Sequence, residues 1–175
     1  DKSILAVNKD SLERVLVKNP MIKSAQVYYS LDGYIHVNIQ QREPVLRVLT
    51  GEGYYVDRDG RVMPLSSKFT SRVVVATGDI NKKFACEKLG PFAMKLKNEP
   101  FWDAYIEQLV VRSNEDVVMI PKVGDFRIVL GKVEDCDARL EKLILFLKDG
   151  ITKKGWNRYK EINLKFDNQV VCVRK

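Results

Sequence analysis

Apolar and polar positions in the first fifty residues repeat with two different periods. The first stretch has the helical period, and its apolar positions are Leu12, Val15 and Leu16. Asp10, with Glu13 three residues later, resembles a capping box and predicts a helix that begins there. The helix is expected to end at Asn19, because the residue before Pro20 avoids helical backbone angles.

Two stretches that alternate between apolar and polar residues follow and predict a β-hairpin. Their apolar positions are Ala25, Val27, Tyr29, Ile35, Val37 and Ile39. Asp32 and Gly33 between the stretches supply the positive φ of a tight turn. Pro44 cannot donate a ladder hydrogen bond and should break or bend the second strand. We therefore expect a small unit in residues 1–45 and a larger one in residues 46–175.

The pattern of the larger unit predicts short strands separated by turns. The predicted elements are a hairpin turning at Asp59-Gly60, a strand at 72–78, a short helix ended by Pro100, a meander at 104–131 and two closing strands joined at Asp167-Asn168. The clearest helix lies between the meander and the closing strands, with the apolar stripe Leu140, Leu143, Ile144 and Leu147. Lys148 and Gly150 are expected to close it. The fold class is therefore α+β, with a mostly antiparallel sheet flanked by helices.

The composition indicates a folded, basic protein and leaves the class of its partner open. Of the 175 residues, 45% are hydrophobic and 30% are charged, which suits a packed core and argues against disorder. The net charge of +7 is compatible with nucleic acid, an anionic lipid surface or an acidic partner, and more simply with an ordinary basic surface. The longest apolar run, residues 143–147, is too short to span a membrane. Because the chain starts at Asp1 without a methionine, we expect any membrane anchor to precede it.

Residue patterns for catalysis or metal binding are sparse. His36 is the single histidine, and it lies on the polar side of a predicted strand with no nucleophile marked near it. Cys86, Cys136 and Cys172 are far apart and form no CxxC pair, so a zinc site is not expected. The glycines match neither a phosphate-binding loop nor a dinucleotide fingerprint. We therefore expect no enzymatic activity, no cofactor and no metal.

Two features near the C-terminus have more than one interpretation. Trp156 and Tyr159 lie among lysines; either they pack a loop onto the sheet, which we favour, or they stack on nucleic-acid bases. The last strand, residues 169–175, has no later neighbour in sequence and is expected at a sheet edge. Arg174 and Lys175 would guard such an edge, or the edge would bind a strand of a partner protein.

Residues 19–48 resemble the polypeptide-transport-associated (POTRA) module of the bacterial division protein family FtsQ, also called DivIB. The positions that match the module's motifs are Pro20, Ile22, Ala25, Val27, Gln41, Arg42 and Pro44. Later positions resemble further family motifs in the family's order: Asp57 and Gly60 of a hairpin, Leu130 and Gly131 of a strand, the helix at 137–147, and Asn163, Lys165 and Phe166 of the closing hairpin.

The chain departs from the family pattern in two places. Asn163 and Lys165 stand where the family has Asp and Arg, and Gln169 replaces a glycine, which weakens the last motif. A POTRA module has the order β-α-α-β-β, and only about 45 residues precede the expected junction. The first strand and helix of the module are therefore expected to be missing or to lie before Asp1.

The resemblance implies a non-enzymatic scaffold of the bacterial division machinery. It implies a single-pass protein of the inner membrane whose POTRA module and β domain lie in the periplasm, and which helps to control septal cell-wall synthesis. The implied partners are FtsB-like and FtsL-like coiled-coil proteins, with other division proteins at the POTRA module and no nucleic acid. The alternatives are a POTRA-bearing component of an outer-membrane protein transport system and a basic nucleic-acid-binding domain.

The resemblance also implies where the partner binds, because the family uses strand addition at the final hairpin beside the last long helix. Carried over by position, the implied partner-binding residues are Arg139, Ile162, Leu164, Phe166, Val170 and Val171. Lys165 joins them because it occupies a motif position. Phe166 would set register and Arg139 would select charge, while core packing remains an equal alternative for Phe166.

Overall fold

The chain forms one small and one large β-sheet. The computed structural model describes residues 8–67, 70–151 and 158–175. In these residues, β1 (Ile22–Tyr29) and β2 (Ile35–Gln41) form a two-stranded antiparallel sheet. The other strands form one nine-stranded sheet, and their bounds are β3 Pro44–Val48, β4 Tyr54–Asp57, β5 Val62–Pro64, β6 Val74–Gly78, β7 Ile106–Arg112, β8 Asp116–Pro121, β9 Arg127–Gly131, β10 Tyr159–Asn163 and β11 Val171–Arg174.

The small sheet packs against helix α1 (Lys9–Val17), as the sequence pattern predicts. The N-terminal cap of α1 differs from the prediction. Asn8, not Asp10, precedes the helix, and its side chain accepts a hydrogen bond from the Ser11 amide at 3.1 Å. Glu13 does not close a capping box. Its carboxylate instead accepts a hydrogen bond from the Val27 amide at 2.7 Å, which ties α1 to β1.

The hairpin register confirms the predicted facing of the two strands. Val27 pairs with Val37 and Ala25 with Ile39, so these four side chains share one face of the sheet. Ala25 and Val27 are buried, whereas Val37 and Ile39 remain exposed. Val15, predicted on the buried stripe of α1, is also exposed. The helix therefore covers mainly the β1 side of this face.

The large sheet has the strand order β11-β10-β9-β8-β7-β6-β3-β4-β5. The predicted mostly antiparallel sheet is confirmed, but β3 with β6, β6 with β7 and β9 with β10 pair in parallel. The parallel pairs β6–β7 and β9–β10 are each connected through helical segments, as parallel neighbours require a long crossover. Periodicity predicted the strands and left these long-range pairings open.

Two helical segments make those crossovers. The first comprises α2 (Lys82–Phe84), a π-helical turn (Ala85–Leu89), α3 (Gly90–Asn98) and α4 (Pro100–Tyr105). This segment is longer than predicted. Pro100 follows the end of α3, as predicted, and also begins α4, because proline fits the first turn of a helix. The second comprises α5 (Asp137–Leu145) and a π-helical turn (Phe146–Ile151), so the helix runs past the predicted end at Gly150.

The hydrophobic core lies between these helices and one face of the large sheet. Its strand residues include Leu46, Ala76, Leu109, Val117, Met119, Ile128, Leu130 and Ile162, and its helical residues include Phe84, Leu89, Phe92, Leu96, Trp102, Leu140, Leu143 and Leu147. Leu164, just after β10, also belongs to it. Tyr159 is buried and its ring centroid lies 6.0 Å from that of Phe146, which confirms the packing interpretation of this residue. Trp156 lies outside the described residues.

Ion pairs connect the small sheet to the large one near Pro44. Arg42 follows β2 and its guanidinium contacts the buried Asp57 carboxylate at 2.8 Å. Lys23 of β1 contacts Asp59 at 2.8 Å, and the Arg58 amide donates to the Glu43 carbonyl at 3.1 Å. Pro44 begins β3, as expected of a residue that ends the preceding hairpin. The domain division at residue 45 stays a prediction.

No helix formed by the described residues is both long enough and apolar enough to cross a bilayer.

Candidate functional site at the C-terminal sheet edge

The last strand, β11, lies at the edge of the large sheet, as the sequence predicts. It pairs antiparallel with β10, with Val173 opposite Glu161 and Val171 opposite Asn163. The Lys175 amide donates to the Arg158 carbonyl at 3.1 Å, so the backbone groups of Lys175 face β10. Because backbone groups alternate sides along an antiparallel strand, those of Cys172 and Arg174 face outward. As far as the described residues show, the edge therefore offers unpaired donors and acceptors to an added strand.

The side chains of β11 divide between the two faces of the sheet. Cys172, with Val170 just before the strand, packs partly buried against the core. Val171 and Val173 lie exposed on the opposite face. Burial raises the pKa of the Cys172 thiol, which therefore stays protonated at neutral pH. An added strand would meet the apolar side chains of Val171 and Val173 and, at the end of β11, the charge of Arg174.

Ile162 and Leu164, two of the predicted partner-binding residues, have no exposed side-chain surface. Both belong to the hydrophobic core. The backbone of Ile162 pairs with β9 on one side and β11 on the other, and the Leu164 amide donates to the Val129 carbonyl at 2.9 Å. These residues support the hairpin from inside, and their side chains are unavailable to a partner in the folded chain.

Phe166 lies just beyond β10 with 46% of its surface exposed. This exposure contradicts the core-packing alternative, since a core residue would be buried, and partner binding by Phe166 stays a prediction. The Phe166 carbonyl accepts a hydrogen bond from the Lys142 ammonium of α5 at 2.7 Å. The turn that carries the ring is thus attached to α5.

Arg139 and Lys165 lie together over Gly131 at the end of β9. The guanidinium of Arg139 donates to the carbonyls of Leu130 and Glu134, both at 2.7 Å. The ammonium of Lys165 contacts the Asp116 carboxylate at 3.1 Å. A Cβ built on Gly131 would lie 3.0 Å from the Lys165 chain and 3.2 Å from the Arg139 guanidinium. The structure therefore brings these two predicted residues together, with two positive charges beside the single carboxylate of Asp116.

Lys88, which no sequence pattern indicates, anchors the loop that leads into α5. Its ammonium contacts the carboxylates of Glu115 and Glu134, both at 2.7 Å. Hydrogen bonds to these two carboxylates raise the pKa of Lys88, and the same contact lowers the pKa of Glu134. Nothing in the local sequence connects the three residues, because Lys88 lies far from both carboxylates along the chain.

Groups suited to metal binding or redox chemistry do not assemble at this edge. No group of three or more His, Cys, Asp or Glu residues that could hold a metal ion occurs within the described parts of the chain. Cys86, Cys136 and Cys172 are all free thiols. What the edge can offer is backbone pairing, an exposed aromatic ring and nearby positive charge.

Comparison with protein families assigns most of the chain. A family model described as FtsQ/DivIB, C-terminal related, matches residues 43–173, and a POTRA-like domain model matches residues 1–40. The chain belongs to the FtsQ/DivIB-related family. No curated protein matches the sequence. The resemblance identified from the sequence motifs is therefore confirmed.

Membership in the FtsQ/DivIB-related family supports a role as a scaffold in bacterial cell division. Proteins of this family are non-enzymatic division proteins, and division proteins are their partners. The POTRA-like match ends at residue 40 and the second match begins at residue 43, on either side of Arg42. The ion pair between Arg42 and Asp57 lies where the two matched regions meet.

Proposed function

We propose that the chain is the extracytoplasmic part of a single-pass inner-membrane scaffold of the division machinery. In this role it binds FtsB-like and FtsL-like coiled-coil proteins through the outer edge of β11 and links their assembly to septal cell-wall synthesis. The outer edge of β11, which pairs with no other strand of the described residues, is the observation that carries the proposal. Backbone pairing supplies affinity along Cys172 and Arg174, and side chains beside the edge select the partner.

The side chains that would select the partner lie around the turn that follows β10, where Arg139 is half-buried and the others are exposed. Phe166 and Val171 present apolar surface, and Arg139 and Lys165 present positive charge. Exposed aromatic and arginine side chains dominate many protein interfaces. An extended partner segment with a hydrophobic and an acidic side chain fits this arrangement.

The opposite edge of the sheet offers less to a partner strand. β5 has three residues and ends at Pro64, which has no amide hydrogen. Val62 of β5 and Val173 of β11 each have 39% of their surface exposed. The two edges thus provide a matched pair of positions for testing where a partner strand binds.

The test is calorimetric titration of the chain with the extracytoplasmic parts of the FtsB-like and FtsL-like proteins of the same organism. We expect Val173→Glu and Phe166→Glu to weaken binding about tenfold or more, because each places a charge in an apolar contact. Val62→Glu should bind like the wild type. Circular dichroism would establish that each variant is folded.

A truncation after Asn168 provides a second test, because it removes β11 and leaves Ile162 and Leu164 in the core. The truncated chain should lose binding while keeping a cooperative unfolding transition. No binding of the wild-type chain up to about 100 μM of either partner, or an equal loss in Val62→Glu and Val173→Glu, would contradict the proposal.

A further inference from the structure

The turn between β1 and β2 carries an exposed apolar tip. Leu31 is fully exposed, and Tyr28 and Tyr34 on either side have more than half of their surface exposed. The turn is closed by two backbone hydrogen bonds, from the Gly33 amide to the Ser30 carbonyl and from the Ser30 amide to the Tyr34 carbonyl. A leucine held in this way at the end of a hairpin contributes nothing to the core of the protein.

We propose that this tip, Tyr28 to Tyr34, inserts into the interfacial region of a lipid bilayer. Leu31 would enter the outer acyl-chain layer, and the tyrosine rings would lie at the level of the headgroups. Tyrosine favours this level because its ring is apolar and its hydroxyl remains hydrated. The Asp32 side chain would stay among the headgroups and water.

The shape of the tip favours a lipid surface over a protein groove. The tip is a projecting turn, with Leu31 fully exposed at its end. The ring of His36 stacks on Tyr28, with centroids 5.0 Å apart and planes 7° from parallel. This contact holds the Tyr28 ring at the side of the hairpin, where it would rest on the bilayer surface.

The position of the tip is compatible with a membrane at the end of the small sheet that lies away from the large sheet. β1 begins at Ile22 beside Gln41, next to the large sheet, so the tip lies about 20 Å away at the other end of the hairpin. The Lys9 ammonium at the start of α1 lies 5.2 Å from the centroid of the Tyr29 ring. The start of α1 is therefore on the same side as the tip. This part of the argument rests on the proposed function, in which a membrane anchor precedes the chain.

The first experiment measures insertion with the whole chain held at a bilayer. An N-terminal histidine tag, bound to a nickel-chelating lipid, holds the chain at the bilayer in place of the proposed membrane anchor. The substitution Leu31→Trp puts a fluorescent side chain at the tip. We expect its fluorescence to shift to the blue and to be quenched by lipids brominated on the acyl chains. Val123→Trp is the matched control, because Val123 is also an exposed residue in a turn, between β8 and β9 of the large sheet. Equal quenching of the two variants, or none in Leu31→Trp, would overturn the proposal.

The second experiment removes the tether and measures partition into vesicles of phosphatidylethanolamine and phosphatidylglycerol and of phosphatidylcholine alone. Leu31→Glu should lower partition about tenfold, and Val123→Glu, with the same charge change, should lower it much less. Partition should persist in phosphatidylcholine and at about 1 M salt, where charges are screened beyond about 3 Å. Partition that is lost in both conditions would mean adsorption of a basic protein to anionic lipid and would contradict insertion.

The tip proposal and the proposed function can be contradicted independently of each other. Calorimetry with the coiled-coil partners is carried out in lipid-free buffer, where Leu31→Glu should bind them like the wild type. A loss of vesicle insertion with normal partner binding would overturn the tip proposal alone. A loss of partner binding with normal insertion would overturn the proposed function alone.

Discussion

Gly131 sits where β9 ends and the two positively charged residues of the candidate site meet. Its φ is +87°, in the region that favours glycine. An added Cβ would crowd Lys165 and Arg139 at 3.0 and 3.2 Å. The residue is therefore needed both for the backbone turn and for the positions of these side chains.

We expect Gly131→Ala to destabilise the fold more than Gly51→Ala. Gly51 also has positive φ, at +64°, but an added Cβ there meets nothing within 4 Å. Both substitutions should lower the free energy of unfolding by about 1–2 kcal/mol, because alanine is strained at positive φ. Gly131→Ala should lower it by about 1–3 kcal/mol more, because the added Cβ crowds its neighbours. Urea unfolding measures both losses. Equal losses would show that Lys165 and Arg139 move aside freely.

Arg42 and Asp57 form a largely buried ion pair at the junction of the two sheets, with 12% and 2% of their side-chain surfaces exposed. Asp57 also accepts hydrogen bonds from the amides of Asp59 and Arg61. The carboxylate therefore organises the β4–β5 turn and holds the end of β2 at the same time.

Arg42→Met should cost about 3 kcal/mol of unfolding free energy, because it leaves the Asp57 charge buried without its cation. Arg58→Met is the control, since Arg58 pairs with Glu43 in an exposed position and should lose less than about 1 kcal/mol. Chemical denaturation gives both values. A loss in Arg42→Met no larger than in the control would show that the backbone amides alone stabilise Asp57.

At the scale of elements, α5 is held in place by charges from distant parts of the chain. Lys88 of the first helical segment contacts Glu134 just before α5 and Glu115 between β7 and β8. Lys95 contacts Asp137 in the first turn of α5. These contacts connect the two crossover helices and so fix the position of Arg139.

The Lys88 contacts predict a pH dependence that can be measured directly. The pKa of Glu134 is lowered chiefly by its hydrogen bond to Lys88, so this contribution to stability is present above the unfolded-state pKa and is lost as the pH falls through the folded-state pKa. In Lys88→Met, the Glu134 pKa measured by carboxyl NMR titration should rise towards its ordinary value. Lys95→Met should leave it nearly unchanged. A Glu134 pKa that is the same in wild type and Lys88→Met would contradict the contact.

At the scale of the whole molecule, the two sheets differ greatly in their capacity to fold alone. Helix α1 has no buried residue, and a two-stranded sheet with one helix is marginal in water. The nine-stranded sheet has a continuous core with two helical segments. The small sheet therefore depends on the large one, or on chain that precedes it.

We expect the fragment 42–175 to fold and the fragment 1–43 to remain largely unfolded. The longer fragment retains Arg42 and thus the ion pair with Asp57. Circular dichroism and urea unfolding of both fragments measure this difference. A cooperative transition in fragment 1–43, or its absence in fragment 42–175, would contradict the expectation and the predicted division near residue 45.

The candidate site was predictable in outline and not in its side chains. Alternation and turn residues placed the last strand at an edge, and the family motifs pointed to the final hairpin. The resemblance implied that Ile162 and Leu164 bind the partner, but both side chains lie in the core, on the face of the sheet that the crossover helices cover. Local alternation indicates that two positions share a face, and it does not say which face is covered.

The sequence by itself determined what short-range chemistry controls. The hairpin turns at Gly33 and Gly60 and the apolar stripe of α5 follow from backbone preferences and periodicity within a few residues. Only the tertiary structure decided the strand order, the three parallel pairings and the contacts of Arg42 and Lys88. These features join residues far apart in the chain, and their free energy depends on burial and distance, which exist only once the core has formed.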